Sequence, residues 1–419
     1  MLKKFSKFGS GYLNQSNRKE AMKYIYNTLL ILLSLVISTN AYSGDWETIT
    51  KNASGQTVYF NAWGGSDIIN DYIRWAGDQV QSQYGIKVKH VKVTDIGDVI
   101  SRILAEKSAG RNDSGSVDLM WINGENFRAM KDNLLLYGPF TQKLPNYRLV
   151  DTENKPTVLS DFTTKVDHME APWGMAQLIF MYDSAQVTNH PKNMPDLLIF
   201  AKKHPGKVTY PAPPSFYGTT FIKQVMLELV EDKSPLYDSV KKADFENVTA
   251  PLWKFLDQLH PLMWRKGKAF TSGAPEMKQL LNDGEIFISL SFNPNDASNA
   301  IDNGELPDSI RTYIHQKGTI GNTHFVGIPF NSSAKEGAMV FANFLMSPEA
   351  QLRKSIPQIW GDPTVLNINK LSSKDRVAFS QLPLGIATLT AAELNKVMLE
   401  PDASWVAALE KAWQRRYQK

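Results

Sequence analysis

Between Thr57 and Ile122 the chain switches repeatedly between short apolar strands and amphipathic helices. Few arrangements other than a parallel sheet flanked by helices accommodate that pattern. Thr57-Val58-Tyr59-Phe60-Asn61-Ala62-Trp63 reads as a buried strand, broken by Gly64-Gly65-Ser66. Asp67–Tyr84 then carries Ile69, Tyr72, Ile73, Ala76 and Val80 on one helical face and stops at Gly85. Ile86–Val93 alternates apolar with basic residues, which predicts a strand with one wet face at a sheet edge. Asp95 is placed to cap a helix whose face is Ile96, Val99, Ile100, Ile103 and Leu104, and Val117–Ile122 supplies a third strand. Right-handed crossovers follow from such a parallel series.

A second series begins beyond an irregular stretch at 138–172. Trp173–Tyr182 is strand-like, Pro195–His204 helical, Lys207–Tyr210 extended and Phe216–Val230 helical, with further helices over Pro251–Arg265 and Met277–Leu281. Glu285–Phe292 is a strand, after which the pattern returns to the first series through Thr323–Pro329 and the helix Glu336–Met346. Asp402–Tyr417 closes the chain as a helix with Trp405, Leu409, Ala412, Trp413 and Tyr417 on one face. At 419 residues the chain exceeds what one core usually serves, so two α/β lobes are expected.

Lys23, the apolar run Leu29–Ile37 and the small residues Ala41 and Ser43 have the anatomy of a secretory signal peptide. Residues 1–43 are read as that leader, with Met22 an alternative start, cleavage before Gly44 and Ala41 an alternative cut point. An uncleaved anchor is the competing reading, but the apolar core is short for a bilayer. The leader holds six basic residues and one acidic residue, so the balance of 46 against 42 becomes 40 against 41 once it is removed. The apparent basicity therefore belongs to the leader, and nucleic acid loses its electrostatic footing as a partner. No cysteine is present, which excludes disulfides, thiolate chemistry and a lipid-modified N-terminus.

The seven histidines lack metal-ligand spacing, and no nucleophile elbow, phosphate loop or dinucleotide fingerprint occurs. We expect no metal, no cofactor and no catalysis. A carboxylate pair assembled from Asp118, Glu125, Asp296 or Asp362 is the enzymatic alternative. The polar and aromatic residues instead cluster where strands end: Trp63-Gly64-Gly65-Ser66; Trp121 with Asn123, Glu125 and Asn126; Tyr210 with Phe216, Tyr217 and Thr219; and Asn293 after Phe292. In open α/β sheets the ligand crevice lies at such carboxyl ends. Each cluster also has a plainer reading. The glycines serve as turns, the tryptophans as core, Glu125 as a solvated loop acid, and Thr219 and Thr220 as helix caps.

Val340-Phe341-Ala342-Asn343-Phe344-Leu345-Met346-Ser347-Pro348-Glu349-Ala350-Gln351 resembles the late motif of the periplasmic solute-binding proteins of ABC importers, in the type II group. Tyr59–Gly65, Trp121–Arg128, Ala171-Pro172-Trp173-Gly174, Val208–Pro211 and Trp360-Gly361-Asp362-Pro363 resemble the YnjB branch of that group, which is described as thiamine-transporter-like. The resemblance implies a two-lobed type II fold, each lobe a mainly parallel sheet flanked by helices. Crossover strands are expected near Trp173–Tyr182 and Glu285–Asn293, with 44–174 plus 291–346 as lobe 1 and 175–290 plus 347–419 as lobe 2. It also implies a small-molecule solute, an inner-membrane ABC permease as partner, a periplasmic location and a monomer. Trp173, Trp360 and Asp362 join the expected ligand-binding set on these motifs. A thiamine-like solute would suit Trp63, Glu125, Tyr217 and Trp360, and the lack of a Tyr-Tyr pair argues against ferric iron. A secreted enzyme using the same cleft and a docking protein with a vestigial site remain the competing readings.

Overall fold

The computed structural model describes residues 45–390 and 393–418, so the leader lies outside the described residues. The first series forms as its periodicity predicts. Helix α1 (residues 45–53) precedes β1 (Thr57–Trp63), α2 (Asp67–Tyr84), β2 (Lys87–Val93), α3 (Ile96–Ser108), β3 (Leu119–Ile122) and α4 (Glu125–Asp132). Gly85 ends α2 in the left-handed region at φ 69°, and the Asp95 side chain caps α3 by accepting the Gly97 N–H at 2.8 Å. Strands β2 and β3 both pair parallel with β1, and β2 is the outer strand, as its wet face predicts.

The hairpin β4 (Ser160–Asp161) and β5 (Thr164–Lys165) leads to β6 (Glu170–Gln177), and the chain then crosses into a second body of structure. There β7 (Ile179–Asp183) is followed by α5 (Met194–Lys203), α6 (Phe216–Leu229), α7 (Phe245–Leu259), α8 (Ala274–Asn282), β8 (Ile288–Ser291), α9 (Asp296–Asp302) and β9 (Ile310–Tyr313). Strand β10 (Thr319–Gly327) returns to the first sheet, pairing antiparallel with β3 and β6. Helices α10 (Lys335–Leu345), α11 (Pro348–Ser355) and α12 (Ser373–Ser380) come next, then the short β11 (Val397–Met398) beside β10 and the last helix, α13 (Ser404–Tyr417).

Two large cores result, one built around Phe60, Tyr72, Trp173 and Phe341 and the other around Phe180, Phe221, Trp405 and Trp413. A smaller group of Val99, Ile103, Phe127 and Met130 fills the space beneath α3 and α4. The molecule is thus a two-lobed α/β protein. Its division differs from the expected boundaries in two places. Phe292, Ala297, Ala300, Ile310 and Tyr313 belong to the second core, because β8 and β9 both hydrogen-bond to β7 and keep the chain in that lobe until β10. The second crossover is therefore β9 to β10, and not the strand over 285–293. Ala350, Trp360, Val365, Leu366 and Leu371 belong to the first core, where the Tyr72 hydroxyl donates to the Ala350 carbonyl at 3.1 Å. A third crossing lies between Leu371 in the first core and Ala387 in the second.

The second sheet also departs from a parallel series. Its strands β8, β7 and β9 are antiparallel neighbours, and parallel pairing is confined to the single bridges Val208 with Ile288 and Pro211 with Thr271. The segment over 207–210 does not extend into a strand because Pro211, Pro213 and Pro214 follow it and supply no N–H.

Candidate functional site

Parallel pairing brings the carboxyl ends of β1, β2 and β3 to one edge of the first sheet, with Trp63 in register with Val93. Trp63, Asp95 and Asn123 to Asn126 therefore share that edge. Trp63 is 42% exposed, and its ring lies over Gly65, where a Cβ would come within 2.4 Å of it. Gly64 is held under the Lys92 side chain, and Ser66 precedes α2 without making a capping bond from its side chain. Glu125 opens α4 after Gly124 at φ 61°, Asn123 is partly buried beside it, and Asn126 reaches the Glu125 carboxylate at 3.5 Å.

The second lobe presents the start of α6 and the segment 400–410. Phe216 is 43% exposed and packs edge-on against Phe292 at 5.1 Å. Tyr217 is half-buried, and its hydroxyl is pushed up by desolvation despite bonds to Ser291 and the Phe292 backbone. Thr219 donates to Glu410 Oε1 at 2.7 Å. Lys223 and Glu400, both buried, pair at 2.6 Å, with the ammonium 4.7 Å from the Phe162 ring of the first lobe.

Contacts between lobes flank these groups on two sides. Arg128 Nη1 and Thr163 Oγ1 each donate to Asp402 Oδ2 at 2.8 Å. On the other side, Asn293 and Asn299 donate to the Trp360 carbonyl at 3.0 and 3.2 Å, and Asn295 donates to the Gly361 carbonyl. Asn293 is thus an interlobe bond donor. Behind both flanks runs the antiparallel pair β6 and β10. Trp173 and Val326 enter the first core from it, and Ala176 and Ile320 enter the second.

The charge in this interlobe space is unbalanced. Glu125 is open to solvent, yet desolvation raises its carboxyl above the usual range, Glu400 and Asp95 push it the same way, and Lys223 opposes them. Water contact on one side and crowding protein on the others is what a group lining a cleft experiences. Glu410 is raised mainly by desolvation, with added pressure from Glu125 and Asp95. Asp161 and Glu170 are fully enclosed, and burial raises both well above the ordinary carboxylate range. Glu170, the first residue of β6, has no hydrogen-bond partner at either carboxylate oxygen. Such clusters of perturbed acids mark functional sites more often than chance.

Four expected ligand residues lie elsewhere. Trp173 is 0% exposed, and Gln351 and Lys354 both donate to its carbonyl. Trp360 and Asp362 are buried with it. The tryptophan rings stand 5.2 Å apart, while Asp362 takes Lys354 at 2.7 Å and His324 at 3.2 Å. This nest, which also includes Trp121 and Tyr72, is packing beneath the cleft. Tyr210 is buried inside the second lobe, its hydroxyl 2.7 Å from both His260 Nε2 and Trp413 Nε1. A segment that ends one series and starts another looks like a ligand edge in sequence. Here the Tyr210 hydroxyl is instead taken up inside the lobe by His260 and Trp413.

No carboxylate pair suited to acid–base chemistry forms from the four candidates. Asp118 accepts the Tyr59, Ser333 and Ala334 N–H groups, Asp296 pairs with Lys278 at 2.9 Å, and Asp362 is held as described, so of these four just Glu125 faces the other acids between the lobes. Among the described residues no group of three or more His, Asp or Glu is placed to hold a metal ion. No described helix is long and apolar enough to cross a membrane. Glu400, Glu410, Asp161 and Asn322 were not foreseeable as site residues. They carry no local motif; Asp161 sits on a two-residue strand inside the irregular stretch, and Asn322, Glu400 and Glu410 come near it only through the later crossings of the chain.

Residues 75–367 match the family described as bacterial extracellular solute-binding protein. Protein YnjB of Escherichia coli (strain K12) is 45% identical over 391 residues, covering 93% of this chain and 98% of the relative. Two solved structures share the fold at low identity. A spermidine/putrescine ABC transporter substrate-binding protein, PotD, from Streptococcus pneumoniae strain Canada MDR_19A has a TM-score of 0.61 at 17% identity, over 87% of this chain and 98% of its own. An ABC transporter from Clostridium perfringens ATCC 13124 has a TM-score of 0.59 at 15% identity, over 86% and 98%.

Proposed function

The chain belongs to the bacterial extracellular solute-binding proteins, and we propose that it is the solute-capturing component of an ABC import system that closes two lobes over a small cationic, partly aromatic molecule. The observation that carries this reading is the β6–β10 pair. Two antiparallel strands rooted in both cores can bend together, as a hinge must. Acids from both lobes meet in front of it, with Glu125 and Asp95 on one side and Glu400 and Glu410 on the other. Trp63 and Phe216, exposed beside them, supply ring faces on which a flat or positive solute can rest.

Closure by ligand is a population shift, worth only the difference in affinity between the open and closed forms. Residues 1–43 act as a cleaved leader in this reading, and the released monomer docks in the periplasm on a permease. The test uses exported protein, unfolded and refolded to strip carried solute. Thiamine, its phosphates, putrescine, spermidine, maltose and amino acids are then screened by thermal shift. At a hundredfold excess over Kd a true ligand adds about 2.7 kcal/mol of stability. Failure of every small solute to raise the melting temperature sinks the capture reading.

A further inference from the structure

Two buried oxygens beside the cleft have no donor. Asp161 is 1% exposed; its Oδ2 accepts the Gly124 N–H at 2.7 Å and the Phe162 N–H also acts on the carboxylate, but its Oδ1 has no donor in hydrogen-bonding geometry. Asn322, on hinge strand β10 and 4% exposed, turns its Nδ2 toward Glu400 Oε1 at 3.5 Å and leaves its own Oδ1 unpartnered. Buried acceptors without donors are rare and costly, so each calls for a reason.

These two oxygens adjoin the acids already described. Glu125 and Glu400 both act electrostatically on Asp161, and Asn322 meets Glu400 directly. The donors among this group are few. Lys223 serves Glu400 Oε2, Asn322 Nδ2 makes a long bond to the same carboxylate, and Asn126 makes another to Glu125. We propose that Asp161, Asn322, Glu125 and Glu400 form one subsite at the base of the cleft, which takes a protonated nitrogen carrying several N–H donors, such as the ammonium or amidinium end of the captured solute. This rests on the solute-capture reading and narrows it to a ligand class.

The chemistry excludes the alternatives. A phosphate brings only acceptors and charge of the same sign. A sugar hydroxyl brings one donor but sets a further acceptor among carboxylates. An ammonium or amidinium brings donors alone, and its hydrogen bonds to carboxylates are of the stronger, charge-assisted kind. Arrival of a cation also favours the ionised carboxylates that desolvation and the neighbouring Glu400 now oppose, so binding releases protons.

Native mass spectrometry of the exported protein reads the composition of whatever solute it carries. Calorimetry on refolded protein then measures putrescine, spermidine and thiamine against maltose and fructose 6-phosphate, in two buffers of different ionisation enthalpy. The expected result is a carried solute with a basic nitrogen, cation binding with proton release, and a loss of about tenfold or more in cation affinity for Asp161→Asn. That variant keeps an unliganded melting temperature no lower than the parent, which separates a ligand group from a structural one. Should Asp161→Asn fail to fold, Glu125→Gln at the solvated mouth gives the same reading of affinity. A carried solute without basic nitrogen, or binding of maltose or fructose 6-phosphate with the cations silent, overturns the subsite and leaves solute capture standing. Unchanged cation affinity in the variants overturns it too. A protein that carries nothing and binds no probe overturns both.

Discussion

The first lobe's buried nest and the interlobe cleft draw on the same residue types, yet they are opposites in how their polar groups are matched. In the nest, Lys354, Asp362 and His324 satisfy one another, Gln351 and Lys354 both reach the Trp173 carbonyl, and four aromatic rings enclose them, although the Trp173 indole N–H has no acceptor. Beside the cleft, the enclosed Asp161, Glu170 and Asn322 hold oxygens with no donor, and Glu125 and Glu410 lie among other acids. Residue type alone does not separate structure from function here. The sign of the mismatch does, an unmatched donor in the nest against several unmatched acceptors beside the cleft.

The contrast can be broken at several points, and the largest effects belong to the nest. Trp173→Ala empties the centre of the first core and is expected to cost about 3–5 kcal/mol in denaturant unfolding. Lys354→Met strands the Asp362 charge, and the same measurement should show a loss of about 3–5 kcal/mol. A loss below about 1 kcal/mol in either would mean that the nest is less tightly matched than its geometry implies.

Asp161→Asn should act in the opposite direction, adding about 1–2 kcal/mol at neutral pH by removing an enclosed carboxyl whose ionisation burial opposes and which lacks full hydrogen bonding. The pH dependence follows from the raised carboxyl. The folded protein keeps a proton that the unfolded chain loses in the ordinary carboxylate range, so this contribution is full below that range and is lost as pH rises through the folded value. The parent should therefore lose stability on going upward from about pH 4, and Asp161→Asn should flatten that slope in a melting series. The smallest effect is expected at the rim. Asp402→Ala removes the acceptor shared by Arg128 and Thr163, costing about 1 kcal/mol, and small-angle scattering should show the unliganded lobes more often apart. No change in the scattering profile would show that this contact does not set the resting opening.

The first lobe was largely legible in the sequence because its order along the chain is its order in space. Periodicity gave β1 through α4, and the parallel register then put Trp63 and Glu125 on one edge. The second lobe was harder to read, since its sheet is antiparallel and the proline run at 211–214 interrupts it. Trp360 and Asp362 sit in a loop rich in Gly and Pro that resembles a cleft edge. Only the buried Lys354, eight residues before Asp362 and enclosed beside Ala350 and Gln351 on α11, signals that they face inward. Glu400 and Glu410 stand near the end of the chain with no partner close in sequence, so their meeting with Glu125 could come only from the fold.

The three crossings between lobes bear on the order in which the molecule can be made. The first core needs α10, α11 and Leu371, although its opening strand is β1, and the second needs Trp405 and Trp413 in the final helix. The second core cannot close until that helix has been made, whereas the first has all its members once Leu371 has emerged. A lobe whose packing waits for α13 is held open until the end of synthesis, so the two lobes complete their cores one after the other, in the order of the chain.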